Sequence, residues 1–212
     1  MPRLLPYSEW KALLSAARIP CAAMGLTKDK EECLRIGRDL GFPLAAKLLS
    51  PDILHKTDQG AVILGIADER SLADACDRLI AICQGKAFDG ILIQKMVKGK
   101  EVIIGLKRDP TFGPVVMFGL GGIFVEVLKD VSFRLPPFDE REALAMILET
   151  RGSRILQGVR GEPPVNIAAL QKILVNLGKL ALSRKDIVEL DFNPVLVDQK
   201  QALVVDARIL AT

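Results

Sequence analysis

The sequence predicts an α+β (α/β) chain of two lobes, and three observations carry that expectation. Helical stripes alternate with short strand-like runs up to about residue 89, as at Leu72, Ala75, Cys76, Leu79 and Cys83. From Gly90 onward the strand-like runs follow one another closely, at Ile91–Gln94, Glu101–Gly105 and Pro114–Phe118. With 212 residues, 50% of them hydrophobic, the chain can bury one large core or two small ones.

Taken in order, Ser8 is placed to cap a first helix running to about Arg18. Ile19 to Ala23 reads as a short strand entering a turn at Gly25. Lys28 to Leu40 is a charged amphipathic helix, with Cys33, Ile36 and Leu40 on one side and Gly41 as its stop. Pro43 to Leu49 and Ala61 to Ile66 are strands flanking a polar loop. Ser71 and Asp74 have the S-x-x-D form of a capping box opening the next helix, which Gly85 ends. These elements make a small lobe, residues 1–89. The larger lobe, residues 90–212, adds a strand at Val131–Leu135 and a helix capped by Asp139 that runs through Leu148. A helix capped by Asn166 follows, with Ile167, Leu170, Leu174, Leu177 and Ala181 on one face. Strands at Ile187–Asp191, Pro194–Val197 and Ala202–Asp206 close the lobe.

Bulk properties remove several function classes. The 29 basic and 26 acidic residues leave +3, with one Trp, one Tyr and no basic run, which argues against nucleic acid. Cys21, Cys33, Cys76 and Cys83 form no C-x-x-C pair, and one histidine is too few for an ordinary zinc site. They read as reduced core filler in a cytoplasmic protein. The polar residues Ser8, Glu9 and Lys11 follow the N-terminus too soon for a signal peptide. Phe112 to Leu128 is apolar but is broken by Pro114, four glycines and Glu126, so no membrane span is expected.

The stretch Ala45 to Gly60 passes through Ser50 and Pro51 into a polar loop holding the chain's one histidine, His55, with Lys47 before it and Lys56 after it. A neutral imidazole is a nucleophile near pH 7, and lysines are point charges suited to phosphate. On this segment alone, an exposed loop histidine with solvated neighbours is the simpler account. The P-loop pattern is absent, and the run Gly119 to Phe124 lacks the third glycine of the dinucleotide fingerprint, so neither a P-loop enzyme nor a Rossmann dehydrogenase is favoured. Glu189, Asp191 and Asn193 alternate along one strand and so project to one face. A turn at Asp198–Gln201 would fold the next strand back and bring Asp206 to Asn193. An amide oxygen beside carboxylates suits Mg²⁺, which is usually shared with substrate phosphates. Spacing alone equally allows these groups to cap strands and pair with Arg208 or Lys185.

The pieces HKTD (His55–Asp58), FGPVVMFGLGGIFVEVLKD (Phe112–Asp130), ELDFNPVLV (Glu189–Val197) and VVDARI (Val204–Ile209), in this order and spacing, resemble one known family. It is the ATP-grasp domain, or β subunit, of ADP-forming (NDP-forming) acyl-CoA synthetases, relatives of succinyl-CoA ligase. The resemblance covers nearly the whole chain from about Tyr7, and the long glycine block is its most specific part.

That resemblance implies an ATP-grasp fold holding ATP or ADP with Mg²⁺ between two lobes. It implies that Lys47 contacts nucleotide phosphate and that Gln94, Lys95 and Met96 lie where the inter-lobe strand meets the adenine. Glu101 is the acidic residue that follows. Gly121 and Gly122 would let backbone approach a phosphoryl group, near Glu126. Asn193 and Asp206, with Asp191 beside them, would ligate the metal. His55 would receive a phosphoryl group in the reaction acyl-CoA + ADP + phosphate ⇌ carboxylic acid + CoA + ATP, with Lys47 and Lys56 stabilising charge. The enzyme class that the resemblance implies is an acid–thiol ligase.

The family usually shows Gly-Gly where this chain has Gly60-Ala61, which implies a stiffer lid over the phosphates. No dinucleotide-type CoA-binding domain and no second histidine are present. The resemblance therefore implies an α subunit or fused domain carrying the CoA site, hence a hetero-oligomer. Met1 at the start, and an end shortly after Asp206, favour a separately encoded subunit. Two other readings stand beside this one: a non-catalytic ATP-grasp regulatory or docking module, and a ligase that phosphorylates a carboxylate directly.

Overall fold

The structure is a computed structural model and describes residues 2–50, 52, 60–85, 87–122, 129–159 and 161–212. In chain order the elements begin β1 (Arg3–Leu4), α1 (Tyr7–Ala16), β2 (Met24–Thr27), α2 (Lys30–Leu40), β3 (Leu44–Leu49), β4 (Val62–Ile66) and α3 (Glu69–Ile82). They continue β5 (Gly90–Lys95), β6 (Lys100–Asp109), β7 (Gly113–Leu120), β8 (Val131–Arg134), α4 (Glu140–Glu149) and α5 (Ser153–Leu156). The last are α6 (Ile167–Ser183), β9 (Ile187–Val197), β10 (Ala202–Val204) and β11 (Ala207–Ala211). They form two compact units, Ala22–Val97 and Met1–Cys21 with Lys98–Thr212. No helix of the described residues is long and apolar enough to cross a membrane.

This division departs from the expected 1–89 and 90–212, because backbone pairing rather than composition decides membership. The N-terminal segment joins the larger unit: Arg3 pairs with Ala211 and Leu4 with Leu210, and the Val204 N–H donates to the Pro20 carbonyl at 2.9 Å. Residues 90–95 join the smaller unit, since β5 is hydrogen-bonded to both β2 and β3.

The smaller unit is an antiparallel sheet in the order β2-β5-β3-β4 with α2 and α3 packed on it. Strand alternation sends Leu44, Ala46, Leu48, Ile91 and Ile93 into a core with Cys33 of α2 and Leu72, Ala75, Cys76 and Leu79 of α3. Each such Leu or Ile contributes roughly 1.5–3 kcal/mol through burial. Helix α2 starts where the Asp29 carboxylate accepts the Glu32 N–H at 2.8 Å and stops at Gly41, whose φ of +69° suits glycine. Helix α3 starts three residues earlier than the S-x-x-D reading placed it. Asp68 accepts the Ser71 N–H at 2.7 Å and Ser71 Oγ accepts the Asp68 N–H at 3.2 Å, so Ser71 is the third helical residue and not the cap. The first strand of the smaller unit is β2, which begins after Ala23, one residue past the expected strand; residue 21 makes only an isolated bridge to Val204.

The larger unit is an antiparallel sheet in the order β1-β11-β9-β6-β7-β8, with β10 also on β9. Helices α4 and α6 pack together and against β6, β7, β8 and β9. Under them lie Val102, Ile104, Leu106, Val116, Phe118, Leu190 and Phe192, all buried. Asn166 caps α6 as expected, accepting the Ala169 N–H at 3.0 Å. At its other end the Arg108 guanidinium donates to the carbonyls of Ala181, Arg184 and Ile187 at 2.5, 2.9 and 2.7 Å. That tie fixes the α6 C-terminus to β6. The expected pair of strands at residues 187–197 is one continuous strand. Its ladder with β6 shifts register between Val102 and Ile104, which lets it pass through Asn193 and Pro194 unbroken.

Candidate functional site

The face of the larger sheet opposite α4 and α6 collects the charged residues singled out from sequence. On β9, Leu190 and Phe192 are buried, so Glu189, Asp191 and Asn193 project to the other face. Strand β11 sets Arg208 directly across from Asp191 and Leu210 across from Glu189, while β6 sets Gly105 and Lys107 opposite the same two residues. The turn after β9 is held by Asp198, whose carboxylate accepts the N–H groups of Lys200 and Gln201 at 2.7 and 2.8 Å. As the hairpin argument required, the returning chain brings Asp206 to Asn193, whose N–H donates to the Asp206 carbonyl at 3.2 Å.

The Asp206 carboxylate accepts the N–H of Ala207 at 3.0 Å. Burial, then Glu189 and Asp206, hold the Asp191 carboxyl above its ordinary value, while Arg208 pulls the other way. Negative charge is thus concentrated on one half-buried patch. Among the described residues, no three His, Cys, Asp or Glu side chains converge into a metal cage of their own. Two carboxylates and an amide with that local charge fit a hard dication that completes its shell on a phosphate.

In the smaller unit, Lys47 (7% exposed) and Gln94 (2% exposed) share the sheet face opposite the core, with Ala45 and Leu92 between them in the register. The Gln94 side-chain amide donates to Met24 Sδ at 4.0 Å. Lys95 is not with them. Its side chain turns to the helix side, where the ammonium donates to the carbonyls of Gly41 and Phe42 at 2.7 and 2.8 Å. Successive strand residues point to opposite faces, so Gln94 and Lys95 cannot both reach one ligand through their side chains. Met96 follows the strand, and its sulfur accepts the Gly65 N–H at 3.1 Å. Ala61 is fully buried among Leu48, Leu79 and the rest of the smaller unit's core, so its methyl lies on the side away from Lys47.

The two loop glycines differ. A Cβ on Gly121 would lie 2.8 Å from Glu101 Cβ, and the Gly121 N–H already donates to the Glu101 carbonyl at 2.8 Å. Gly121 is therefore required by close approach of its own sheet. A Cβ on Gly122 would meet nothing within 4 Å among the described residues, and its φ of +64° is a conformation that itself favours glycine. Glu101 is exposed at the start of β6. His55, Lys56 and Glu126 lie outside the described residues. One residue on the patch was assigned from sequence only as a pairing partner: Arg208, which makes no ion pair among the described residues. The two-residue step from Asp206 to Arg208 was the signal that both share a face.

One unit holds an antiparallel β6–β9 sheet backed by two helices, with a hairpin of Asn and Asp; the other holds a sheet bearing a buried strand lysine. The ATP-grasp domain family matches residues 2–210. The chain belongs to that ATP-grasp family. It is 42% identical over 213 residues to the β subunit of acetate–CoA ligase (ADP-forming) I of Pyrococcus furiosus, covering 98% of this chain and 92% of that one. It is also 42% identical to acetate–CoA ligase (ADP-forming) I of Archaeoglobus fulgidus, covering 96% of this chain but only 30% of that enzyme's length. The dinucleotide-forming acetyl-coenzyme A synthetase 1 of Ca. Korarchaeum cryptofilum, solved with coenzyme A and Ca-AMPCP, superposes with a TM-score of 0.94 at 40% identity, covering 99% of this chain and 94% of that one. A second state of that enzyme holds Mg-AMPPCP, with a phosphohistidine segment pointing towards the nucleotide binding site; its TM-score is 0.88 at 38% identity, over 99% and 93% of the two chains.

Proposed function

We propose that this ATP-grasp chain is the nucleotide-binding β component of an ADP-forming acyl-CoA synthetase. It would interconvert acyl-CoA, ADP and phosphate with carboxylic acid, CoA and ATP, together with an α subunit or domain that carries the CoA and acid sites. The observation that carries this reading is the match to the Pyrococcus β subunit across nearly all of both chains. The 30% share of the Archaeoglobus enzyme supports assigning the remaining chemistry to another component.

In this reading Lys47 holds nucleotide phosphate, Gln94 and Met96 border the base, and Lys95 contributes through its backbone. Asn193, Asp206 and Asp191 hold Mg²⁺, which neutralises charge on the phosphoryl oxygens when bound. Gly122 provides backbone beside phosphate without a side chain, and Glu101 follows the base-binding segment. Residues His55, Lys56 and Glu126 enter on sequence alone. An imidazole nitrogen of His55 supplies the electron pair for the new N–P bond, the bond from the γ-phosphorus to its bridging oxygen breaks, and ADP leaves with that oxygen. A phosphoramidate retains enough transfer potential for the step to reverse. Lys56 and Lys47 offset the charge of the moving phosphoryl group.

The test is transfer of label from γ-labelled ATP and Mg²⁺, read as acid-labile, base-stable protein label. Wild type should label and His55→Asn should not. Equal labelling of both refutes the relay. An unlabelled wild type, even with a cognate α chain present, points instead to a non-catalytic module or to direct phosphorylation of a carboxylate.

A further inference from the structure

Arg208 is exposed, stands directly opposite Asp191 in the β9–β11 ladder, and shares its face. Directly opposed residues of an antiparallel pair have Cβ atoms about 5 Å apart. The ion pairs among the described residues do not include Arg208, although Asp191 stands directly across from it and carries the added negative influence of Glu189 and Asp206. Lys107 is a second cation on this face, opposite Glu189 on the far side of β9. A guanidinium that faces Asp191 across the ladder without closing an ion pair among the described residues, beside a half-buried acidic patch, has two consequences of opposite sign. It repels a bare divalent cation entering that patch, and it attracts a polyanion that brings the cation with it.

We propose that Arg208 is a positioning residue of the metal–nucleotide site, a counter-charge that lowers affinity for the free ion and raises affinity for the ion–nucleotide complex. The ion then arrives with its phosphates. This rests on the metal reading of Asn193 and Asp206 above, and the test separates the two.

With the full chain, Mn²⁺ alone is titrated and followed by the paramagnetic resonance of the free ion, and ADP is titrated by calorimetry at fixed Mn²⁺. Arg208→Gln should bind Mn²⁺ about two- to fivefold more tightly and ADP about two- to fivefold more weakly, the scale of one exposed charge. Arg208→Lys should return both towards wild type. A merely structural role would move both affinities in the same direction, and that result, or no change in either, overturns the proposal. Failure of the lysine variant to restore either affinity also overturns it. Asp206→Asn should abolish Mn²⁺ binding; unchanged Mn²⁺ affinity in that variant refutes the metal site, and the role of Arg208 with it.

Discussion

Replacing Lys95 by methionine distinguishes a ligand contact from a structural clasp. The ammonium donates at 2.7 and 2.8 Å to the carbonyls of Gly41 and Phe42, where α2 ends and β3 is about to begin. A hydrogen bond from a charged donor is worth about 1.5–3 kcal/mol, and a cation at a helix C-terminus adds about 0.3–1 kcal/mol. One ammonium serves both carbonyls and is partly open to water, so the contributions do not sum in full. The expected loss for Lys95→Met is about 2 kcal/mol. With a urea slope of about 2 kcal/mol/M, that moves the midpoint down by about 1 M. Hydrogen exchange should locate the loss in amides of α2 and β3, while affinity for Mg·ADP by calorimetry stays within about twofold. An unchanged urea midpoint with ADP bound tenfold more weakly would refute the clasp and restore the side chain to the nucleotide.

Gly121→Ala should cost about 1–3 kcal/mol, because its Cβ would meet Glu101 Cβ at 2.8 Å. Gly122→Ala, with no described residue near its Cβ and φ at +64°, should cost about 1 kcal/mol from its backbone conformation; equal urea midpoints for the two variants would contradict the packing argument. Burial pushes the Cys21 thiol from 9.0 up to about 11, with Lys11 opposing weakly. Alkylation of Cys21 at pH 8 should therefore be about 100-fold slower in the folded chain than in urea, as mass spectrometry can measure. The same shift means that its contribution to stability is whole below pH 9 and is lost as pH rises from 9 towards 11, where the unfolded chain has already released the proton.

Much of this arrangement was legible because it depends on period and parity. The stripe of α3 and the alternation at Glu189, Asp191 and Asn193 are local patterns, and both appear in the structure on the faces that alternation requires. What could not be read is the set of features decided by distant backbone. Only pairing between residues more than 200 apart attaches Arg3 and Leu4 to β11. Lys95 looked like part of a ligand-binding strand end, yet parity alone placed it opposite Gln94, and its partners at Gly41 and Phe42 are set by the α2–β3 turn. The S-x-x-D pattern places the start of α3 one turn late because Ser71 satisfies both patterns, as cap of one helix start and as third residue of another. Gly121 resembled a phosphate-loop glycine, and its constraint came from a strand twenty residues away.

The interrupted layout of the larger unit sets an order of assembly during synthesis. Residues 22–97 are contiguous and contain every strand and helix of the smaller unit, so that unit can close once it has left the ribosome. Residues 3 and 4 have their sheet partners at 211 and 210. At about 5–20 residues per second they wait roughly 10–40 s for those partners to be made. Residues 3 and 4 are made before the smaller unit and reach their sheet partners only after it is complete.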